Sequence, residues 1–93
     1  MSTGVIVRVP TQLRPLTGGE REVIVPAGSV REVIESLETA HPGLHERLLT
    51  EDGSLRRFVN VFVADEDVRF LDGLGTPVAE GQTVSIVPAV AGG

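Results

Sequence analysis

Cysteine is absent from this chain, and so are lysine, tryptophan and tyrosine; the only aromatic residues are three phenylalanines, Phe58, Phe62 and Phe70. Without cysteine there is no disulfide framework, no thiolate metal site and no cysteine nucleophile. Without lysine no copy of the chain offers a side-chain amine to an activated carboxylate on another copy. The lack of large aromatics requires an aliphatic core of Val, Leu and Ile. All eight positive residues are arginines, scattered along the sequence rather than gathered in a basic stripe, and the net charge is −5. That balance argues against a nucleic-acid footprint. No apolar run approaches membrane-spanning length, and no basic stretch followed by an apolar run opens the chain. The expectation is a cytoplasmic protein with no membrane partner.

What is present fits a single small domain. Ninety-three residues with 41% apolar and 23% charged side chains are ordinary for a globular fold with little core to spare. Val5, Val7 and Val9 alternate with Ile6 and Arg8, the period of a half-buried strand. Pro10 ends it, and Thr11 to Gly19 reads as a long hairpin connection. Glu20 to Val25 resumes the strand pattern with Val23 and Val25 inward. Ser29 followed by Glu32 predicts a capping box, and Val30, Val33, Ile34 and Leu37 fall on one helical face. His41-Pro42-Gly43 stops that helix. Leu44, Leu48 and Leu49 predict a further helical turn.

The second half is strand-rich. Arg57 to Ala64 is the most β-prone run, with Val59, Val61 and Val63 on one face and Phe58, Asn60 and Phe62 on the other. Asp65-Glu66-Asp67 predicts a turn into a short strand over Val68 to Phe70, followed by a loop or single helical turn to Thr76. Thr83 to Val87 forms the last strand, with Val84 and Ile86 sharing a face. The order β-β-α-β-β-β predicts an α+β fold of the β-grasp, ubiquitin-like kind. It has a mixed sheet, one main helix across one face, and the strand after the helix parallel to the first. The expected division is a β-grasp domain over 1–88 and a flexible C-terminal tail over 89–93.

That tail reads Ala89-Val90-Ala91-Gly92-Gly93. Gly93 lacks a Cβ, so its carboxylate can enter a narrow channel, and Gly92 accepts backbone conformations that a threaded segment needs. Fully extended, the five residues span about 17 Å. The feature points to a protein whose reactive group is its own last carboxylate.

Other candidates carry less. His41 and His45 stand four apart, but Pro42 and Gly43 break the helix that would align them and no third ligand is near, so no metal site is expected. Asp65-Glu66-Asp67 lacks the remaining spacing of a calcium loop, and Gly73-Leu74-Gly75 is too short for a dinucleotide motif. No Ser-His-Asp set is discernible.

The segment Gly81-Gln82-Thr83-Val84-Ser85-Ile86-Val87-Pro88 leading to Gly92-Gly93 resembles the ubiquitin-like sulfur carrier family, which includes the small subunit of molybdopterin synthase and the thiazole carrier. The resemblance covers essentially the whole chain. Within the family, Pro10-Thr11-Gln12-Leu13-Arg14-Pro15 with Thr17-Gly18-Gly19, Arg57-Phe58-Val59-Asn60 and Asp65-Glu66-Asp67-Val68-Arg69-Phe70 resemble the actinobacterial cysteine-biosynthesis carriers. So does Pro88 to Gly93.

The resemblance implies a protein cosubstrate rather than an enzyme. An E1-like enzyme using ATP and Mg would adenylate Gly93, and a persulfide would convert the adenylate to a thiocarboxylate. In the cysteine pathway, a PLP-dependent synthase acting on O-phosphoserine would accept the sulfur, and a metalloprotease would release cysteine. The chain itself would bind no cofactor and would work as a monomer. Delivery of sulfur to molybdopterin, thiazole or thiosugar synthesis, or conjugation to other proteins as a modifier, stays open at this point. The expected partner-binding residues are Ala89, Val90 and Ala91 in the tail. Phe62 and Val87, with Ile6, are expected on the sheet face away from the helix, where they would dock the activating enzyme.

Overall fold

Alternation in Val5 to Arg8 makes β1 (Val5–Arg8), in which Val5 and Val7 are buried and Arg8 is exposed. The computed structural model describes residues 4–88. After β1 the chain enters a 3-10 helix, Thr11–Thr17, and then β2 (Glu22–Val25) and the two-residue β3 (Gly28–Ser29). The helices α1 (Val30–Ala40) and α2 (Leu44–Leu48) follow. The remainder is β4 (Val59–Val63), β5 (Glu66–Asp67), 3-10 turns at Val68–Phe70 and Gly73–Gly75, β6 (Pro77–Val78) and β7 (Thr83–Pro88).

Five strands form one mixed sheet in the order β2-β1-β7-β4-β5, and β3 pairs with β6 in a separate ribbon. β1 is antiparallel to β2 and parallel to β7, while β7 is antiparallel to β4. The last strand is therefore central, hydrogen-bonded on both sides. This β-grasp sheet with its helix matches the expected α+β class.

Two expectations are corrected. β4, the strand after the helices, runs antiparallel to β1 rather than parallel. The crossover rule relates the strand that feeds the helix to the one that leaves it. Here the feeding strand is β2, itself antiparallel to β1, so β7 rather than β4 becomes the parallel neighbour of β1. Val68 to Phe70 is a 3-10 turn, not a strand, because the Asp67 carboxylate accepts from the Arg69 N–H and Val68 is drawn into the core. The long hairpin connection after Pro10 is present as expected, joining antiparallel β1 and β2, and most of it is the 3-10 helix, anchored by buried Thr17. Its hydroxyl lies 3.1 Å from the Arg14 carbonyl and 2.9 Å from the Glu20 carbonyl.

The core lies between the sheet and α1–α2. Val5, Val7, Val61 and Val84 from the sheet meet Val33 and Leu37 from α1 and Leu44 and Leu48 from α2. Among the described residues no phenylalanine belongs to it, so the core is aliphatic as composition requires. The capping box forms as expected: Ser29 Oγ accepts from the Glu32 N–H at 3.2 Å, and Glu32 Oε1 accepts from the Ser29 N–H at 2.9 Å. Gly43 adopts φ +107° at the start of α2, a conformation that disfavours any side chain.

Candidate functional site

β7 carries the chain toward the Gly-Gly segment, and its register fixes where that segment leaves the fold. Val61 lies opposite Ile86, Asn60 opposite Val87 and Val59 opposite Pro88. On the other side, Ile6, Val7 and Arg8 lie opposite Thr83, Val84 and Ser85. The last three residues of β7, Ile86, Val87 and Pro88, are thus paired with β4 alone. Ala89, Val90, Ala91, Gly92 and Gly93 lie outside the described residues.

The sheet face away from α1 is open. Phe62 is half-buried there and Val87 is 45% exposed. Phe62 stands opposite Ser85, two residues before Val87 on the neighbouring strand, so the two apolar side chains are diagonal neighbours. Ile6 shares the face but not the cluster. It stands opposite Ile24 on one side and Thr83 on the other. Thr83 and Ser85 interpose polar side chains between the Ile6–Ile24 pair and the Phe62–Val87 pair. Arg8 and Glu22, 3.8 Å apart and both well exposed, extend that polar band.

Alternation against buried Val23 and Val25 would have revealed Ile24, which is 69% exposed and was not singled out from the sequence. Phe58 (62% exposed) and Phe70 (87% exposed) were also missed as surface groups. Phe70 left no sequence signal, because its exposure follows from the 3-10 turn that replaces the predicted strand. All three aromatic residues therefore lie on or after β4, or just before it, and outside the core.

The start of β4 is bonded to an arginine from the turn after β5. Arg69 Nη1 donates to Asn60 Oδ1 at 2.8 Å, and Arg69 Nη2 donates to the Arg56 carbonyl at 2.8 Å and the Arg57 carbonyl at 3.4 Å. On the opposite side, Arg56 Nε donates to the Glu46 carbonyl at 2.7 Å and the Arg56 N–H to the Leu48 carbonyl at 3.0 Å.

Elsewhere the described residues form shallow, open clefts. A shallow cleft of about 500 Å³ lined by Arg8, Asp65, Gln82, Thr83 and Ser85 opens at the start of β7, the end away from Pro88. His41 Nε2 lies 3.6 Å from Glu20 Oε1, and the backbone N–H of His45, the second residue of α2, donates to the Glu38 carboxylate. Among the described residues no group of three or more His, Asp or Glu could hold a metal ion. No helix among them is long and apolar enough to cross a membrane. The arrangement supplies a registered last strand, paired with β4 through Pro88, and an adjacent apolar face.

Comparison with known proteins agrees with that geometry. The chain is 50% identical over 91 residues to the sulfur carrier protein CysO of Mycobacterium tuberculosis, covering 96% of this chain and 98% of the relative. It is 49% identical to a chain in the crystal structure of the Amycolatopsis orientalis BexX/CysO complex, with a TM-score of 0.91, covering 97% of this chain and 100% of that chain. The small archaeal modifier protein 3 of Haloferax volcanii is 43% identical over 65 residues, 70% of each protein. The ThiS family model matches residues 7–93, essentially the whole chain. With the β-grasp sheet, the central last strand and full-length similarity to carrier proteins in hand, the chain belongs to the ThiS family of ubiquitin-like sulfur carriers.

Proposed function

We propose that this protein carries sulfur as a thiocarboxylate on Gly93 and delivers it, in the leading reading, to cysteine synthesis. The observation that supports this most directly is the full-length similarity to CysO, taken with a family match that runs through Gly93. The placement of β7 adds a physical reason: the strand that leads to the tail is paired with β1 at its start and with β4 through Pro88.

The chemistry begins from the inertness of a carboxylate. An oxygen of the Gly93 carboxylate attacks the α-phosphorus of ATP held with Mg in an E1-like enzyme, and pyrophosphate leaves. The resulting mixed anhydride has AMP as a good leaving group. A persulfide sulfur attacks the acyl carbon and AMP departs. A thiol of the donor then cleaves the S–S bond, is oxidised to a disulfide, and leaves the two electrons on the carrier sulfur as a thiocarboxylate. The partner stabilises the developing charge, and this chain supplies the acyl group. It acts as a protein cosubstrate in the cytoplasm, and Ala89, Val90 and Ala91 thread the partner's channel.

The acceptor in this reading is a PLP-dependent synthase that presents an aminoacrylate formed from O-phosphoserine. The thiocarboxylate sulfur adds to the β-carbon, and the amine then takes over the acyl group from sulfur. A metalloprotease hydrolyses the new amide, which frees cysteine and restores the Gly93 carboxylate. A second reading, a protein modifier, is favoured by the similarity to small archaeal modifier protein 3.

Mass spectrometry of the C-terminal fragment separates the two readings, after incubation with ATP, Mg, an E1-like enzyme and a sulfur donor. Exchange of one oxygen for sulfur supports the carrier, whereas isopeptide adducts without thiocarboxylate favour the modifier. Deletion of Gly93 should abolish the sulfur exchange while leaving the unfolding midpoint unchanged, and retained exchange would sink the assignment to that residue.

A further inference from the structure

Two tight turns at one corner of the sheet each present an Arg-Phe pair to solvent. In the first, the Val59 N–H closes on the Arg56 carbonyl at 3.1 Å and leaves Arg57 and Phe58 at the corner. In the second, the Leu71 N–H closes on the Val68 carbonyl at 2.9 Å, with Arg69 and Phe70 at the corner. The Arg69 guanidinium joins the two turns, since it donates to the Arg56 and Arg57 carbonyls. Phe58 and Phe70 are both strongly exposed, and Leu71, next in sequence, is exposed as well.

Burial of phenylalanine stabilises a fold, yet two of the three in this chain stand in water on adjoining turns. The charge at this corner also departs from that of the whole. The net charge is −5, but Arg56, Arg57 and Arg69 meet here, three of the eight arginines. The ion pairs among the described residues are Arg8 with Glu22 and His41 with Glu20, so none of these three arginines has a carboxylate partner there. Asp67 and Asp72 flank the second turn, and Asp67 turns its carboxylate to the Arg69 backbone N–H. Three guanidiniums against two carboxylates leave the corner positive.

This surface is distinct from the Phe62–Val87 pair. Asn60 stands between Phe58 and Phe62 along the chain, and its side chain accepts from Arg69 Nη1 at 2.8 Å, so a polar contact separates the two apolar sets. The corner borders the end of β7, because Val59, next to Phe58, lies opposite Pro88.

We propose that these two turns form the docking surface for the sulfur-accepting enzyme, which meets them with apolar pockets rimmed by Asp and Glu. This inference rests on the carrier reading above. Aromatic and arginine side chains anchor protein interfaces, and uncompensated guanidiniums select a partner surface of opposite sign. A carrier serves an activating enzyme and an acceptor in turn. The tail on which both act, Ala89 to Gly93, has no charged or aromatic side chain to tell one partner from another. Choice of acceptor therefore falls to the folded surface. The neutral Phe62–Val87 face suits the activating enzyme, and the charged, aromatic turns supply a second surface of different chemistry. Charge complementarity also speeds encounter, which suits delivery of a reactive thiocarboxylate.

The test uses the full chain with a thiocarboxylate installed chemically on Gly93, so that delivery is read apart from activation. The acceptor is the PLP-dependent synthase of the same organism with O-phosphoserine, and mass spectrometry follows formation of the cysteine adduct. The Phe58→Ala/Phe70→Ala double variant should raise KM for the carrier about 10-fold, with kcat changed less than about twofold. Arg57→Glu should raise KM severalfold and flatten its dependence on salt between about 50 and 300 mM. Both variants should keep the unfolding midpoint and the kinetics of adenylation by the E1-like enzyme.

An unchanged KM in either variant would overturn the proposal, since aromatic and charged contacts are both part of it. An equal rise in KM for adenylation would overturn it too, by giving the turns to the activating enzyme. Failure of the unaltered chain to acquire sulfur from ATP, Mg, the E1-like enzyme and a sulfur donor would instead defeat the carrier reading. Normal acquisition with no transfer to the synthase would defeat this proposal and leave the carrier reading standing.

Discussion

The Glu38 carboxylate reaches past the end of α1 to accept a hydrogen bond from the N–H of His45, seven residues downstream, at 2.9 Å. It also accepts from the Gly43 N–H at 3.1 Å. One side chain therefore satisfies two backbone donors at the start of α2, where the break at His41-Pro42-Gly43 would otherwise leave them unpaired. Glu38 is half-buried, so these charge-assisted bonds are partly shielded from water. Glu38→Ala should destabilise the fold by about 1–2 kcal/mol, and Glu38→Gln by less. Urea unfolding monitored by far-ultraviolet circular dichroism measures both, and equal stability of Glu38→Ala and the unaltered chain would refute the cap.

The hairpin joining β4 to β5 places Ala64 at φ +50° and Asp65 at φ +73°. Positive φ at both central residues is the mark of the type I′ turn, which suits the strand twist but favours Asn-Gly. The double change Ala64→Asn with Asp65→Gly should stabilise the domain by about 0.5–1 kcal/mol by relieving left-handed strain. Thermal unfolding should show a midpoint raised by several degrees. A lowered midpoint would mean that the native side chains make contacts worth more than the strain.

Asp52 is fully exposed, yet its carboxyl is held below the usual value, chiefly by the Thr50 hydroxyl and then by Ser54. A depressed folded-state pKa contributes stability that is present above the unfolded value and is lost as pH falls through the folded value. Asp52→Asn should therefore lower the thermal midpoint near neutrality, with the gap from the unaltered chain closing below about pH 4. The effect should be small because solvent screens an exposed group. A gap that persists unchanged at pH 2 would count against this account.

Phe62 and Val87 form the apolar pair nearest the root of the tail, whereas Ile6 and Ile24 form a separate pair across the polar band. If the first pair docks the activating enzyme, Phe62→Ala should raise KM for adenylation about 5- to 30-fold, the range of a central interface anchor, with little change in kcat. Ile24→Ala should leave KM close to its original value. Unaltered kinetics in Phe62→Ala would remove Phe62 from the interface.

Local patterning made much of this molecule legible in advance. Ser29 and Glu32 specify a capping box through spacing alone, and Val30, Val33, Ile34 and Leu37 mark the buried face of α1 because a helix repeats every 3.6 residues. The period of two in Val59 to Val63 and in Thr83 to Val87 likewise predicted which side chains face the core. The composition required the aliphatic core, and the phrases leading to Gly92-Gly93 carried the family resemblance.

Long-range relationships were decided only when the chain folded. No local pattern states that β7 lies between β1 and β4, or that β4 opposes β1 in direction, because strand order depends on which distant edges pair. The turn at Val68–Phe70 escaped a reading by β propensity, since burial of Val68 and the Asp67 cap outweigh that preference. The separation of Ile6 from Phe62 is a matter of register across three strands. Arg69 lies nine residues from Asn60 in sequence, and only the fold brings its guanidinium onto the carbonyls of Arg56 and Arg57. The sequence alone determined what stands at the end of this chain and which faces are apolar. Tertiary structure decided which strands flank β7, because a strand's position is fixed by neighbours that its own residues do not encode.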